Sequence, residues 1–376
     1  MAVLAAAAEP EVRRGSDYSR LSRRISAAGL MERRTGWYVT RIALTVVLFV
    51  AGWVAFAVVG DSWWQILVAV FLAGATTQVA FLGHDAGHRQ MFRHRRASEV
   101  AGLLAGNLAV GLSYGWWIDK HNRHHANPNH EDDDPDVGAG ALVWTEEQAQ
   151  ATRGFGRWLA QRQAYLFFPM LLLEGLALHV SSVRALTDGT PIRRRRAEAV
   201  LLALHAVGYL GALFTVLSPG KALVFLAVHQ GLWGLYMGCS FAPNHKGMPV
   251  VTAEDELDFL RKQVLTSRNV RGGVLVDFAL GGLNYQIEHH LFPSMPRVNL
   301  RRAQPIVARY CEEQGIPYEE TGLFDSYRQA LRHLHSVGAP LRDGARHTSR
   351  LSTSDPGSST TSEAAGRSAS TASDLL

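Results

Sequence analysis

Residues 62–88 read SWWQILVAVFLAGATTQVAFLGHDAGH. From Ser62 to Gly83 the stretch holds no Lys, Arg, Asp or Glu, and it is long enough to cross a bilayer, which takes roughly 20 apolar residues. It then runs directly into His84 and His88, a spacing of four that puts both imidazoles on one helical face, able to share a metal. Because a lipid-exposed backbone must satisfy its own hydrogen bonds, such a stretch predicts a helix and an all-α integral membrane protein.

Three other stretches are equally free of charge: Ile42 to Gly60, Ala199 to Gly220, and Ala222 to Asn244. Little more than Asp61 joins the first pair of spans, and Ser218, Pro219, Gly220 and Lys221 join the second. Joints so short predict two helical hairpins, with spans at about 42–60, 62–83, 199–220 and 222–244. Val100 to Ile118 is also uncharged but carries four glycines, Asn107 and Ser113. Leu166 to Val183 is interrupted by Pro169 and Glu174. Both are read as interfacial or re-entrant helices.

Arginines set the sidedness. Arg13, Arg14, Arg20, Arg23, Arg24, Arg33, Arg34 and Arg41 precede the first span, Arg89, Arg93, Arg95 and Arg96 follow the second, and Arg193 to Arg196 precede the third. The two outer joints offer only Lys221. The positive-inside rule then puts both termini and the middle region in the cytoplasm, with the protein in a plasma or inner membrane. The net charge of +5 comes mostly from these arginines, which face an anionic leaflet rather than nucleic acid. Cys239 and Cys311 make no disulfide framework. The opening MAVLAAAAEPEVRR places its apolar run before its basic residues, the reverse of a secretory signal. The chain divides into a basic segment 1–37, a membrane domain 38–310, a cytoplasmic helical region 311–342 and a Ser/Thr/Gly/Ala-rich tail 343–376, expected to be disordered.

Eight of the sixteen histidines fall in four places. They are His84 and His88; His121, His124 and His125; His289 and His290, in Gln286-Ile287-Glu288-His289-His290; and His245, at the end of the last span. An isolated pair at spacing four is more often two solvated or core histidines than a ligand set. Three clusters at the same mouths of membrane hairpins are another matter. Eight imidazoles exceed what one ion needs, so two metals are the natural count. Imidazole suits Zn, Cu, Fe and Ni alike. The absence of any Glu-x-x-His excludes the soluble carboxylate-bridged di-iron bundle.

HDAGH (84–88), HNRHH (121–125) and NYQIEHH (284–290), in this order between two hairpins, resemble the three histidine boxes of the membrane fatty acid desaturases. The resemblance covers roughly residues 38–310. It implies a cytoplasmic helical di-iron domain capping the spans, with two non-haem Fe ions held by His84, His88, His121, His124, His125, His245, His289 and His290. Gln286 stands where the commoner leading histidine would be, as in the subgroup that includes front-end desaturases, and is expected to ligate weakly or to shape the site. The implied reaction is O2-dependent desaturation of a fatty acyl chain, carried as acyl-CoA or as a membrane lipid. A methylene C–H is unactivated, so the chemistry belongs to the cofactor. No haem motif of a fused cytochrome b5 domain is read at either end, so a separate electron donor is expected, a ferredoxin or an oxidoreductase.

Ligating histidines commonly donate their other ring N–H to a carboxylate or carbonyl. Asp85 and Asp119 are the expected partners, with Asp132, Asp133, Asp134, Asp136 and Glu288 nearby; the run Glu131 to Asp136 itself reads as a solvated loop. Tyr114, Trp116 and Trp117 either line the substrate path or anchor the interface. His179, His205 and His229 read as neutral histidines bonded between helices, and His94, His130, His333, His335 and His347 as surface residues. The alternatives are a hydroxylase or carotenoid oxygenase on the same di-iron scaffold and, from another class, a metal transporter. A transporter places its ligands near the bilayer midplane, whereas these clusters sit at the edge of the apolar runs.

Overall fold

The computed structural model describes residues 16–138 and 140–342. The expectations for the opening MAVLAAAAEPEVRR, for Arg13 and Arg14, for His347 and for the tail therefore lie outside the described residues. The chain runs through α1 (Asp17–Ala27), α2 (Thr35–Val59), α3 (Gln65–Gly87), α4 (Arg95–Leu103), α5 (Tyr114–Ala126), α6 (Glu146–Ala151), α7 (Gly154–Leu171) and α8 (Glu174–Arg184). It continues through α9 (Arg195–Val216), α10 (Pro219–His245), α11 (Phe259–Leu265), α12 (Val274–Ala279), α13 (Gln286–Leu291), α14 (Arg297–Glu313) and α15 (Leu323–Val337).

Four of these, α2, α3, α9 and α10, are long and apolar enough to cross a membrane. α3 is the most buried of the four, whereas α2 and α9 leave most of their surface open. Val47, Val58, Leu204 and Val207 are all exposed, an outward apolar face that lipid suits and water does not. Between the helices, Phe56, Leu72, Leu213 and Phe225 pack into one core. Gly52 of α2 permits the approach, because a Cβ there would lie 2.5 Å from Leu72.

The helices do not stop where the apolar residues stop. α3 continues to Gly87 and α10 to His245, so His84 and His245 sit on continuous helix and His88 caps α3. The third span was expected to reach Gly220, but α9 ends at Val216 and Pro219 opens α10 at its first turn. Proline is preorganised for that position and disfavours helix in the residue before it. The stretch 100–118 is not one helix. α4 passes into a π-helical turn, Leu104–Val110, which breaks at left-handed Gly111 (φ 84°) before α5 begins. A Cβ on Gly111 would meet His205 at 2.5 Å. The buried Glu198 of α9 ties this break down, accepting from Asn107 Nδ2 (3.2 Å), Ser113 Oγ (2.6 Å) and Gly115 N–H (3.1 Å). α7 and α8 meet at an angle of 82°, just after Pro169.

Below the long helices, α1, α11, α13 and α14 share a second core built on Leu21, Ile25, Leu291, Leu300 and Val307. One feature departs from the all-α expectation: Asn269–Arg271 (β1) and Glu320–Gly322 (β2) form a short parallel pair, with Asn269 opposite Glu320. The histidines inside apolar stretches bond as expected: His179 to Gly111 O (2.9 Å), His205 to Leu108 O (2.9 Å) and His229 to Tyr209 (2.7 Å).

Candidate metal centre

α3, α5, α10 and α13 converge so that the histidines from all four places meet. Among the described residues they form two groups, His84–His88–His121–His289 and His124–His245–His290, with the ligand atoms of each group within 4.8 Å of one another. His125 lies between the groups, its ring stacked 4.2 Å from that of His290 and its Nε2 3.1 Å from His121 Nε2.

The second group is held from behind. His124 Nδ1–H donates to Asp134 (2.9 Å), His245 Nδ1–H to Thr266 O (3.0 Å) and His290 Nδ1–H to Gln263 Oε1 (2.9 Å). Each acceptor fixes the tautomer and leaves Nε2 unprotonated, that of His245 accepting from the Gln286 amide nitrogen at 2.9 Å. His245 Nε2 and His290 Nε2 lie 3.1 Å apart, and two unprotonated nitrogens cannot hydrogen-bond to each other. A cation between them resolves the contact. In the first group, His88 Nε2 and His121 Nε2 approach to 2.9 Å, while His84 Nε2 and both nitrogens of His289 are buried without a hydrogen-bond partner. Burying unpartnered imidazole nitrogens is costly, so this donor set also fits a metal. Burial, reinforced by neighbouring imidazoles, holds His121, His125, His289 and His290 well below the ordinary histidine pKa, which keeps them neutral and able to ligate.

The residues behind the ligands differ in part from expectation. Asp85 lies 3.5 Å from His84 Nδ1, too long for a strong bond, and its other oxygen pairs with the buried Arg297. Asp119, expected behind a histidine, instead pairs with Arg123 one turn on (3.3 Å) and is partly exposed. The run Glu131 to Asp136 is not simply solvated. Asp132 and Asp133 are exposed, but Asp134 is 1% exposed and also accepts from Asn129 N–H (2.7 Å) and Asp136 N–H (2.9 Å). Burial works to raise the Asp134 carboxyl, yet the His124 and Asp136 bonds outweigh it and hold it below the usual carboxylate range. Replacing Asp134 by alanine is expected to weaken metal binding about 10–100-fold, read by competition with a chelator. Glu288 turns away from the histidines to Tyr318 and Asn269 (both 2.7 Å), and burial pushes its carboxyl up to about 7. His130, expected at the surface, is buried, with Nδ1 accepting from the amides of Asp132 and Asp133 (both 3.3 Å).

Gln286 brings its amide to 2.9 Å from His245 Nε2. The neighbouring Asn244, whose role no local pattern signals, is fully buried and reaches Gln286 Oε1 at 3.4 Å. A cavity of about 650 Å³ opens against His84, His121, His124 and His245, walled by Phe167, Leu171, Met237 and Phe241. Tyr114, Trp116 and Trp117 line it too, and Trp117 stacks on His121 (4.4 Å). That stacking relies on Gly87, where a Cβ would lie 2.6 Å from the indole.

Two groups of imidazoles set against a largely apolar cavity can bring metal chemistry to a hydrocarbon chain. A family model described as Fatty acid desaturase matches residues 61–322, which include all four histidine places. The acyl-lipid (9-3)-desaturase of Physcomitrium patens is 31% identical to this chain over 80% of its length, and the chain spans 58% of that relative. A Delta(8)-fatty-acid desaturase of Euglena gracilis is also 31% identical, covering 85% of this chain and 78% of the relative. The Delta(5) fatty acid desaturase fat-4 of Caenorhabditis elegans is 28% identical, covering 86% and 75%. With the family match running across most of the membrane region and the whole histidine constellation, this chain belongs to the fatty acid desaturase family.

Proposed function

We propose that this desaturase holds two irons, one in each histidine group, and uses O2 and two electrons from a separate donor to introduce a double bond into an acyl chain carried on CoA or a membrane lipid. The observation that carries this reading is the pair of imidazole groups, members of both of which line the same largely apolar cavity. His84, His88, His121 and His289 would hold one iron; His124, His245 and His290 the other; His125, between them, can serve either. When bound, the irons supply the oxidising power that no side chain has. The chain's own residues do the rest. Phe167, Leu171, Met237 and Phe241 offer the acyl chain an apolar channel that excludes water, and Trp117 keeps His121 in place. Gln286, at His245, shapes the second group.

The arginines beside the apolar helices support two hairpins with the metal centre and both termini in the cytoplasm. The broken helices α4–α5 and α7–α8 then lie at the interface, and residues 311–342 form a cytoplasmic cap. That these relatives are named desaturases speaks for desaturation rather than for hydroxylation or carotenoid oxygenation.

The test is expression in a host with a simple lipid profile, with and without a co-expressed ferredoxin–reductase pair, followed by fatty-acid analysis by gas chromatography–mass spectrometry. A new unsaturated chain, made by wild type and not by His124→Ala, is the expected result. A hydroxylated product instead would overturn the desaturation reading.

A further inference from the structure

One segment with no histidine of its own grips the metal centre from behind. In Gln263 to Asn269, QVLTSRN, every polar side chain is essentially inaccessible, from Gln263 at 0% to Asn269 at 2% exposed. Gln263 Nε2 donates to the backbone carbonyl of His125 (3.0 Å), which fixes the orientation of its amide. Its Oε1 therefore faces His290 and accepts from Nδ1–H (2.9 Å). Thr266 O holds His245 in the same way (3.0 Å). Arg268, fully buried, donates through Nε to Pro243 O (2.6 Å) and through Nη2 to Lys246 O, so it grips the end of α10 on both sides of His245. Asn269 Oδ1 accepts from Ile287 N–H (3.0 Å) and anchors α13, which carries His289 and His290.

We propose that Gln263–Asn269 is the frame that fixes the geometry of the second histidine group, and that Gln263 is a positioning residue for the metal held by His124, His245 and His290. This rests on the two-metal reading above. Asn269 anchors the helix that serves both groups, but the Gln263 side chain bonds to a ligand ring of only the second. All three imidazoles of the second group have an Nδ1 acceptor, and Gln263 supplies one of them. Among the described residues, His289 of the first group has no hydrogen-bond partner on either nitrogen, and the Gln263 side chain hydrogen-bonds to no ring of that group. Gln263 also links the second and third histidine boxes, because its two ends bind His125 and His290. Losing the outer hydrogen bond of a ligating histidine costs 10–100-fold in metal affinity.

The test uses the full chain, purified in detergent and stripped of metal, titrated with zinc(II) against a competing chelator. Zinc is bound by imidazole and has no redox chemistry of its own, so binding is read apart from turnover. Wild type is expected to take up two zinc ions. Gln263→Met should keep one at wild-type affinity and bind the other about 10–100-fold more weakly. Gln263→Glu, which retains the acceptor for His290 and gives up the donor to His125, should keep both. Two zinc ions of unchanged affinity in Gln263→Met would overturn the inference. So would a loss in Gln263→Glu as large as that in Gln263→Met, which would make the His125 link and not the His290 bond the feature that matters. Should Gln263→Met not fold, Gln263→Leu, which also lacks the acceptor for His290, is read in its place. A wild type that binds a single zinc would overturn the two-metal reading, and this inference with it.

Discussion

Replacing His290 by alanine is expected to lower desaturation by on the order of 10³-fold or more, about 4 kcal/mol of barrier, while leaving one iron per chain. His290 Nε2 is one of three unprotonated ring nitrogens in the second group, and 3.1 Å from it lies that of His245. With two imidazoles left, that group falls short of the three protein ligands typical of an open catalytic metal site. The double variant His88→Ala/His289→Ala, which leaves the first group only His84 and His121, should produce the mirror result, emptying that group and sparing the second, although His289 and His290 are neighbours in sequence. Their rings point to different groups, at 82° to each other. His335→Ala, on the exposed face of α15, should change neither iron nor turnover. Iron per chain by mass spectrometry and product by gas chromatography read the two effects separately.

The second large effect is on stability. Arg297, at the first position of α14, reaches Asp85 with the two side chains 7% and 2% exposed, and it also donates to Gly281 O (3.0 Å). Removing one partner from a buried ion pair leaves the other charge uncompensated and typically costs about 3–5 kcal/mol. Arg297→Met should therefore lower the detergent-solubilised unfolding temperature sharply. A double variant, Asp85→Leu with Arg297→Met, should recover most of the loss, since two apolar groups leave no orphaned charge. Thermal denaturation of the two singles and the double closes the cycle. A double variant as unstable as the sum of the singles would mean that the two residues act independently.

What the sequence reveals about this centre follows the range of the interactions involved. His84 and His88 announce themselves because a spacing of four is a local property of a helix, and the same holds for His121 with His124 and His125. His245 is legible only because it ends a span. The membrane helices are legible because lipid demands long uncharged runs. Their ends are less so: α10 continues to His245 because helix geometry, unlike hydropathy, does not stop at the first polar residue. The residues behind the ligands are the hardest to read. Gln263 lies 27 positions from His290 and 138 from His125, and nothing near it marks it as anything but a polar residue at a helix end. Asp134 hides in an acidic run whose neighbours Asp132 and Asp133 are exposed; only the fold decides which one turns inward. Asp119 misled for the complementary reason. It precedes the second box, but on α5 it faces Arg123.

The most direct test of the central claim is the iron content of the wild-type protein, purified from iron-replete cells and analysed alongside single-group variants. Two irons per chain, falling to one in His290→Ala and to one in the double variant His88→Ala/His289→Ala, is the expected result for two independent histidine groups. A folded, active wild type with one iron or none, or a single histidine substitution that removes all the metal at once, would contradict it.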